Sequence, residues 1–256
     1  MSLLHAEHCS MHFKGLKAVQ DFTLDLEEGE LVGLIGPNGA GKTTVFNMLT
    51  GVYVPTEGKI FFQGQEITKA KAWQINQGGI ARTFQNIRLF GDMTVLDNIR
   101  VALSFRIRYK MLDAVLRWSQ YQKEETRVIE ESMELLRLFH LDGKQHFLAK
   151  NLPYGEQRRL EIARALATKP KLLLLDEPAA GMNNKESEEL MQLIRWIREH
   201  FNLTILLIEH HMPVVMGICE RIKVLDFGQT IAEGTPLEIQ SNKRVIEAYL
   251  GEEVED

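Results

Sequence analysis

The sequence predicts an α/β protein built around a parallel sheet, and three observations support this fold class. Short apolar runs at residues 31–35, 172–175 and 204–208 lack polar alternation, which is typical of strands covered on both faces. Each run is followed by polar or glycine-rich residues and then by helical periodicity, as in alternating strand and helix units. The 256 residues, 45% hydrophobic and 25% charged, are enough for one large domain with its own core.

The composition disfavours several classes of protein. Lysine and arginine number 30 against 35 acidic residues, and this net charge of −5 argues against a nucleic-acid binder with a broad basic face. Cys9 and Cys219 lie far apart without Cys/His clustering, so neither a disulfide framework nor a zinc site is indicated, and a reducing cytosolic compartment fits. No signal peptide is evident and no apolar run approaches the roughly 18 residues of a bilayer span, so any membrane role is expected to be peripheral.

An antiparallel β portion is predicted beside the first helix. Apolar and polar residues alternate over residues 21–26, and residues 59–62 run into a Gln-Gly-Gln turn signal at 63–65. The first helix itself is predicted over residues 44–49, directly after a glycine-rich segment. The predicted antiparallel strands therefore lie on both sides of this helix in the sequence.

Residues from about 95 to 141 predict a helical insertion. They contain no glycine or proline, and Ile129, Met133 and Leu136 recur at close to helical spacing. Residues 217–253 return to short strands and turns and end in a small helix. The predicted order of elements is therefore an α/β core that is interrupted by helices and then resumes.

A phosphate-binding loop is predicted at residues 36–43. The segment matches G-x-x-x-x-G-K-[ST] and lies between a predicted strand and a predicted helix, a context that favours phosphate binding over a chance glycine-rich turn. The glycines let successive N–H groups point at phosphate oxygens, the lysine supplies charge for the β- and γ-phosphates, and the threonine hydroxyl can ligate Mg²⁺. The residues expected to hold the nucleotide here are Gly36, Pro37, Asn38, Gly39, Ala40, Gly41, Lys42, Thr43 and Thr44.

Two carboxylates end the apolar run at 172–175. Asp176 is placed at the carboxyl edge of the sheet, where it can hold Mg²⁺, and Glu177 can orient or deprotonate an attacking water as general base. A strand that simply ends in two solvated acids is the alternative interpretation. The phosphate loop in the same sheet favours the catalytic one.

Residues 152–159, Leu-Pro-Tyr-Gly-Glu-Gln-Arg-Arg, resemble the signature of ABC transporter nucleotide-binding subunits, which is normally Leu-Ser-Gly-Gly-Gln/Glu. The resemblance covers nearly the whole chain. The phosphate-loop segment 36–51, the stretch 82–90 (Arg-Thr-Phe-Gln-Asn-Ile-Arg-Leu-Phe) and the Tyr-Gly-Glu-Gln form of the signature are most similar to the ATPase of branched-chain (hydrophobic) amino-acid importers.

The resemblance implies one nucleotide-binding domain over residues 1–256. A P-loop NTPase core with its antiparallel β subdomain is expected from residues 1–94 and 160–256, and a helical subdomain with the signature from about 95–159. In this family the signature completes the ATP site of an opposing subunit, so activity is expected to require a dimer. The signature residues expected to contact ATP are Leu152, Tyr154, Gly155 and Glu156.

The resemblance also implies roles for single residues. Gln85 is expected to contact Mg²⁺ and link the core to the helical part. Without the resemblance, a single glutamine would be interpreted as a surface residue. His210 is expected to contact the γ-phosphate and hold Glu177, with the neighbouring His211 leaving the register open. Phe13 is expected to stack on adenine, and a core position in a β-hairpin is its alternative interpretation.

Two positions depart from the family pattern. Pro153 replaces the signature serine and can donate neither a hydroxyl nor a backbone N–H hydrogen bond, which weakens the expected contact with ATP and makes an asymmetric pair of subunits attractive. Asn183 lies in the loop 180–183, which is expected to cross the dimer interface, and it replaces the usual aspartate. It keeps hydrogen-bonding ability but loses a charge.

The resemblance implies ATP and Mg²⁺ as cofactors and two kinds of partner. These are a second ATPase subunit, identical or different, and transmembrane permease subunits that hold the chain at the cytoplasmic face of the inner membrane. Residues 85–90 are the candidate permease contact. The basic and aromatic residues 105–110, with Arg117 and Trp118, could touch permease or anionic lipid, although a solvated helix face is the competing interpretation.

Other functional classes stay open at this point. A plain P-loop kinase or GTPase is disfavoured by the signature. ABC ATPases of DNA repair carry very long coiled coils and those of translation carry two cassettes, whereas this chain has one cassette and a short insertion. A soluble ABC ATPase uncoupled from transport, or the ATPase of another transport system, is the alternative to the amino-acid importer.

Overall fold

The computed structural model describes residues 2–104 and 119–250, and the chain divides into two compact units. The core unit takes in residues 1–85 and 171–256, and the helical unit takes in residues 86–170.

All the described strands belong to the core unit, where they form two sheets. The strands are β1 (Ser2–Phe13), β2 (Leu16–Glu27), β3 (Leu31–Ile35), β4 (Glu57–Phe62), β5 (Gln65–Glu66), β6 (Ile80–Arg82), β7 (Leu172–Asp176), β8 (Thr204–Ile208), β9 (Arg221–Asp226) and β10 (Gln229–Gly234).

The described helices are divided between the units, with α3, α4 and α5 in the helical unit and the others in the core unit. The helices are α1 (Lys42–Leu49), α2 (Ala72–Gly78), α3 (Val95–Leu103), α4 (Ser119–Leu138), α5 (Tyr154–Ala167), α6 (Asn184–His200), α7 (Met212–Ile218), α8 (Pro236–Gln240) and α9 (Lys243–Leu250).

The larger sheet has the strand order β10-β9-β3-β8-β7-β6, in which neighbours run parallel except for the β9–β10 hairpin. Every residue of β3, β7 and β8 is buried, as expected for strands that are covered on both faces. The α/β class with a parallel sheet is therefore confirmed. In register, Ile208 pairs with both Leu34 and Asp176, so β3, β8 and β7 end at the same level.

The smaller sheet is antiparallel, with the order β2-β1-β4-β5. Its apolar side chains, such as Phe22 and Leu24, belong to the same buried cluster as Phe46 and Leu49 of α1. The antiparallel portion that the sequence predicts beside the first helix is therefore present, and it packs on the helix that follows the glycine-rich loop.

The helical unit begins earlier than residue 95, where the sequence analysis starts the helical subdomain. The backbone N–H of Arg88 donates to Glu161 Oε1 (3.1 Å), and the N–H of Phe90 donates to Asn98 Oδ1 (3.0 Å). These bonds attach the segment before α3 to helices α5 and α3. Helix α3 then begins at its N-cap residue Thr94, whose hydroxyl accepts from the N–H of Asp97 (3.0 Å).

Helix α4 lies in the second half of the predicted insertion and confirms that this part is helical. Its buried face differs from the predicted one. Val128, Ser132 and Leu136 are buried, whereas Ile129 is 40% exposed. The expected stripe through Ile129 and Met133 is therefore wrong by about one residue. A small serine occupies the buried face because its hydroxyl donates to the Val128 carbonyl oxygen (2.6 Å) and needs no other partner.

The basic and aromatic residues 105–110, with Arg117 and Trp118, fall outside the described residues. None of the helices in residues 2–104 and 119–250 has both the length and the apolarity that crossing a bilayer requires.

Candidate active site

Four loops at the carboxyl edge of the parallel sheet carry the predicted catalytic residues. Lys42 follows β3, Glu177 follows β7, His210 follows β8 and Gln85 follows β6. Because these strands are neighbours in the order β3-β8-β7-β6, their loops meet at one edge of the core unit. The fold therefore brings together residues that are far apart in the sequence.

The loop between β3 and α1 requires glycine at two positions. Gly36 has φ 151° and packs against the Leu225 carbonyl, and Gly41 has φ 103° at the N-cap of α1. A Cβ on Gly41 would lie 2.6 Å from the Ala18 carbonyl oxygen. The loop can therefore close tightly over the start of α1, which leaves the first N–H groups of that helix available to an anion.

Lys42 lies inside this loop and is largely buried. Its Nζ donates to the carbonyl oxygens of Gly36 (2.7 Å) and Pro37 (2.9 Å). Burial lowers the pKa of Lys42, and the charges of Glu177 and Asp176 oppose that shift by raising it. The ammonium group therefore has nearby carboxylates and can exchange its two carbonyl partners for phosphate oxygens.

Glu177 directly follows β7 and has a left-handed backbone with φ 46°. Its N–H donates to the Ile208 carbonyl oxygen (2.9 Å), so β8 fixes the turn. Its Oε2 accepts from Gln85 Nε2 (2.7 Å) and lies 3.5 Å from His210 Nδ1. The carboxylate is thus held between an amide and an imidazole. A general base must point at its water molecule, and these two contacts fix the direction of the carboxylate.

Asp176 is the last residue of β7, and its carboxylate is buried in an ion pair. Its Oδ2 lies 2.7 Å from Nη2 of Arg82, a residue that the sequence analysis did not single out. Arg82 also donates from Nη1 to Asn47 Oδ1 (2.7 Å) on α1. This ion pair can be recognised only when the fold is known, because 94 positions of sequence separate the two residues.

Glu209 is a second residue that the sequence analysis missed. Its buried carboxylate accepts backbone N–H bonds from Ala179 (2.7 Å), His210 (3.0 Å) and His211 (3.2 Å). This arrangement turns the His210 side chain toward Glu177. His211 instead begins α7 as its N-cap residue, and its Nδ1 finds no hydrogen-bond partner among the described residues.

A cleft of about 690 Å³ opens along the phosphate loop. Phe13 lies at this cleft and packs edge-on against Tyr53, with ring centroids 5.2 Å apart. The cleft therefore collects an aromatic ring, the loop backbone and the catalytic carboxylate in one place. Its lining includes Phe13, Asn38, Gly39, Ala40, Gly41, Lys42, Thr43, Thr44, Gln85, Glu177 and Phe227.

The donor set fits a nucleotide with Mg²⁺. Mg²⁺ prefers oxygen ligands and usually takes one or two carboxylates together with substrate phosphates. Thr43 and Gln85 supply a hydroxyl and an amide oxygen at the cleft, and Asp176 supplies a carboxylate at the adjoining strand end. Residues 2–104 and 119–250 contain no cluster of three or more His, Cys, Asp or Glu side chains placed to hold a metal.

The signature residues lie in the helical unit, at the start of α5. Pro153 is the N-cap of α5, Leu152 is buried and Tyr154 is exposed. Glu156 Oε1 lies 2.6 Å from Lys144 Nζ. A Cβ added to Gly155 would meet no described atom within 4 Å, so nothing in this part of the chain requires glycine there.

Comparisons with known proteins agree with this architecture. The family model described as ABC transporter matches residues 19–180. Over 98% of both chains, the sequence is 47% identical to the high-affinity branched-chain amino acid transport ATP-binding protein LivG of Salmonella typhimurium. The chain belongs to the ABC transporter family. Its C-terminal residues 229–255 also match the family model described as branched-chain amino acid ATP-binding cassette transporter.

Solved ABC cassettes have the same fold. The ADP conformation of MJ1267, an ATP-binding cassette of an ABC transporter, matches with a TM-score of 0.85 and 30% identity over 98% of this chain and all of that one. The dimeric structure of MJ0796, a bacterial ABC transporter cassette, matches with a TM-score of 0.76 and 26% identity over 91% of this chain and 98% of that one. The family resemblance is therefore confirmed, and the chain is a nucleotide-binding ATPase subunit of the ABC type.

Proposed function

We propose that this ABC cassette hydrolyses ATP with Mg²⁺ to power an importer of branched-chain amino acids. The 47% identity to LivG over nearly the full length, together with the match at residues 229–255, supports this substrate class over another transport system. The cassette would work at the cytoplasmic face of the inner membrane, attached through permease subunits.

One observation carries the catalytic assignment: Glu177 is held by Gln85 and His210 at the end of the strand beside the phosphate loop. Lys42 and the loop N–H groups would hold the phosphates. Glu177 would orient a water molecule for in-line attack, with His210 fixing the carboxylate and contacting the γ-phosphate. Mg²⁺, held by Thr43, Gln85 and Asp176, would supply charge neutralisation on the phosphate oxygens.

The signature supports a dimeric mechanism. Apart from its chain neighbours and the backbone of its own helix, no atom of the described residues lies within 4 Å of a Cβ added to Gly155, and the first turn of α5 presents N–H groups and a helix dipole at that point. In the proposed dimer, Leu152, Tyr154, Gly155 and Glu156 of one subunit would complete the ATP site of the other. MJ0796 is a cassette that has been solved as a dimer, which supports the same arrangement here.

The experiment that tests this proposal uses Glu177→Gln. The amide keeps the size of the side chain but cannot act as a base, so hydrolysis is expected to fall on the order of 100-fold or more. ATP should then stay bound and hold two subunits together. Size-exclusion chromatography with light scattering should show a dimer at saturating Mg-ATP and a monomer with ADP.

Two control variants sharpen this experiment. Glu57→Gln changes an exposed acid of β4 outside the cleft and should keep wild-type hydrolysis. Adding Lys42→Ala to Glu177→Gln should abolish the ATP-dependent dimer. A Glu177→Gln protein that stays monomeric at saturating Mg-ATP would rule out the composite-site mechanism.

The transport assignment needs the native complex. Purification of the cassette from membranes should recover permease subunits, and the complex in vesicles should import leucine, isoleucine or valine in an ATP-dependent way. Recovery without any membrane protein would favour an ABC ATPase that is uncoupled from transport, and import of another substrate would favour a different transport system.

A further inference from the structure

The Arg82 side chain makes several contacts to which the family motifs assign no role. It ends β6, and its guanidinium reaches two other elements of the core unit. Nη2 lies 2.7 Å from Asp176 Oδ2 at the end of β7. Nη1 lies 2.7 Å from Asn47 Oδ1 on α1 and 3.3 Å from Oγ1 of Thr50, the C-cap residue of α1. The side chains of Arg82 and Asp176 are 7% and 6% exposed.

Two aromatic rings confine the same guanidinium. Its Cζ lies 5.4 Å from the ring centroid of Phe46 and 5.1 Å from that of Phe84. Aromatic faces hold a planar guanidinium in a defined orientation, and a single side chain with several donors can serve two acceptors at once. Arg82 therefore fixes Asp176 relative to α1, the helix that begins with Lys42.

We propose that Arg82 is a positioning residue for ATP hydrolysis, which orients Asp176 toward the Mg²⁺ site. This inference rests on the Mg²⁺ site of the proposed function. Arg82 engages Asp176 Oδ2, which restricts rotation of the carboxylate and leaves Oδ1 for the metal. Buried ion pairs contribute little net stability compared with apolar packing, so a role in orientation explains this pair better than a role in stability alone.

The charge of Arg82 and the orientation that it imposes on Asp176 have opposite effects on the affinity of the site for Mg²⁺. A nearby positive charge reduces the attraction of Asp176 for a divalent cation, whereas a fixed carboxylate increases it by removing the cost of reorientation. Orientation of the carboxylate is the larger of the two effects. Loss of Arg82 should therefore weaken Mg²⁺ binding, although it makes the site more negative.

The test compares the Mg²⁺ requirement of the full-length cassette with that of Arg82→Met and Arg82→Lys. Loss of a group that orients a metal ligand typically costs about 10–100-fold in metal affinity, and the half-maximal Mg²⁺ concentration for ATP hydrolysis should rise by at least that lower factor. The same rise should appear in the Mg²⁺ dependence of fluorescent ATP-analogue binding. Binding of the analogue in EDTA should stay near the wild-type value.

Arg82→Lys separates charge from orientation. Lysine keeps the positive charge but cannot bridge Asp176 and Asn47 with a planar fork. It should therefore show a raised Mg²⁺ requirement as well. A wild-type Mg²⁺ requirement in either variant, or a lower requirement in Arg82→Met, would overturn the proposal.

The matched control is Arg198→Met. Arg198 is a half-buried arginine of the same unit, with its Nη2 2.7 Å from Glu220 and its Nε 2.6 Å from the Gly29 carbonyl oxygen. It does not line the cleft, so its loss should alter stability without changing the Mg²⁺ requirement. A change as large as that of Arg82→Met would assign the effect to general destabilisation and overturn the proposal.

Two further results separate this inference from the proposed function. If Arg82→Met fails to fold, Arg82→Lys and Asn47→Ala carry the test. Asn47→Ala removes the shorter of the two hydrogen bonds at the α1 end of the bridge, leaves the 3.3 Å bond to Thr50, and should also raise the Mg²⁺ requirement. A wild-type protein whose hydrolysis ignores Mg²⁺ would refute the Mg²⁺ site and this inference together. A Mg²⁺-dependent wild type with unaffected variants would refute this inference alone.

Discussion

At the scale of single residues, Glu209 shows how one buried carboxylate can order an active site. It is 0% exposed and accepts N–H bonds from Ala179 on one oxygen and from His210 and His211 on the other. The first partner belongs to the loop that follows Glu177, and the other two follow β8. Glu209 therefore holds together the two loops that carry the proposed base and its histidine.

We expect Glu209→Gln to damage both stability and turnover. The amide NH₂ would face either the N–H of Ala179 or those of His210 and His211, so one of the two loops loses its acceptor. Hydrogen bonds to a charged group contribute about 1.5–3 kcal/mol each. Urea denaturation should show a loss in this range, and kcat should fall because His210 is no longer fixed.

Glu220→Gln provides the comparison for that variant. Glu220 is a half-exposed partner of Arg198, and exposed pairs contribute about 0–1 kcal/mol. Its loss should leave kcat unchanged. A Glu209→Gln protein with the stability and kcat of Glu220→Gln would show that the carboxylate does not order the loops.

Lys42 and Glu177 can be predicted from the sequence, whereas the roles of Arg82 and Glu209 cannot, and the reason is physical. The phosphate loop is local, since its glycines and lysine act within eight residues and leave a readable pattern. Arg82 acts on a carboxylate 94 positions away, and Glu209 acts on an N–H 30 positions away. Such partners become neighbours only when the strand order is known.

At the scale of elements, the start of α6 explains why asparagine can replace aspartate in the loop before it. Asn183 is the N-cap of α6, and its Oδ1 accepts from the N–H of Glu186 (3.0 Å). Glu186 in turn accepts from the N–H of Asn183 (2.9 Å), which completes a capping box. Both residue types are good N-caps, so the helix keeps its start while the loop loses a charge.

Asn183→Ala should therefore destabilise the protein, whereas Asn183→Asp should not. Removal of an N-cap acceptor costs about 1 kcal/mol, and aspartate keeps the acceptor and adds a favourable charge at the helix N-terminus. Thermal unfolding of the two variants side by side measures the difference. Equal melting temperatures would mean that α6 does not depend on its cap.

The replacement of the signature serine by Pro153, at the start of α5, has the clearest expected effect on function. Pro153 provides its carbonyl oxygen to the N–H groups of Glu156 (3.0 Å) and Gln157 (2.9 Å), but it has no hydroxyl and no N–H. We expect Pro153→Ser to add both donors two residues before Gly155 without disturbing the helix, since serine is a favoured N-cap. In the Glu177→Gln background, less Mg-ATP should then be needed for half-maximal dimer formation. An unchanged or higher requirement would show that proline does not weaken the signature.

A strand or helix is easiest to predict from the sequence when all of its residues are equally buried. Strands β3, β7 and β8 are buried throughout, so a plain apolar run identifies them. Helix α4 is buried along one narrow face through Val128 and Leu136, and a serine interrupts its apolar pattern. The phase of that face depends on packing against α3 and α5, which periodicity alone does not contain.

At the scale of the whole molecule, two buried thiols report on how the core unit opens. Cys9 lies in β1 of the antiparallel sheet, and Cys219 follows α7 beside the parallel sheet. They are 1% and 6% exposed. Burial raises the pKa of Cys9 to about 11 and that of Cys219 to about 12, so both are neutral thiols at pH 8.

Neither thiol should react with a disulfide reagent until the protein opens, because only the thiolate attacks and both sulfurs are covered. In the Glu177→Gln protein, Mg-ATP at a hundred times its Kd should stabilise the native state by about 2.7 kcal/mol and slow labelling on the order of a hundredfold. If both sheets open as one unit, Cys9 and Cys219 should slow together. Cys9 belongs to the buried cluster that contains α1, and Cys219 lies against Gly33 of β3, the strand that leads into the phosphate loop. Mass spectrometry of labelled peptides gives the two rates. Slowing at Cys219 with no change at Cys9 would mean that the antiparallel sheet opens without disturbing the phosphate loop.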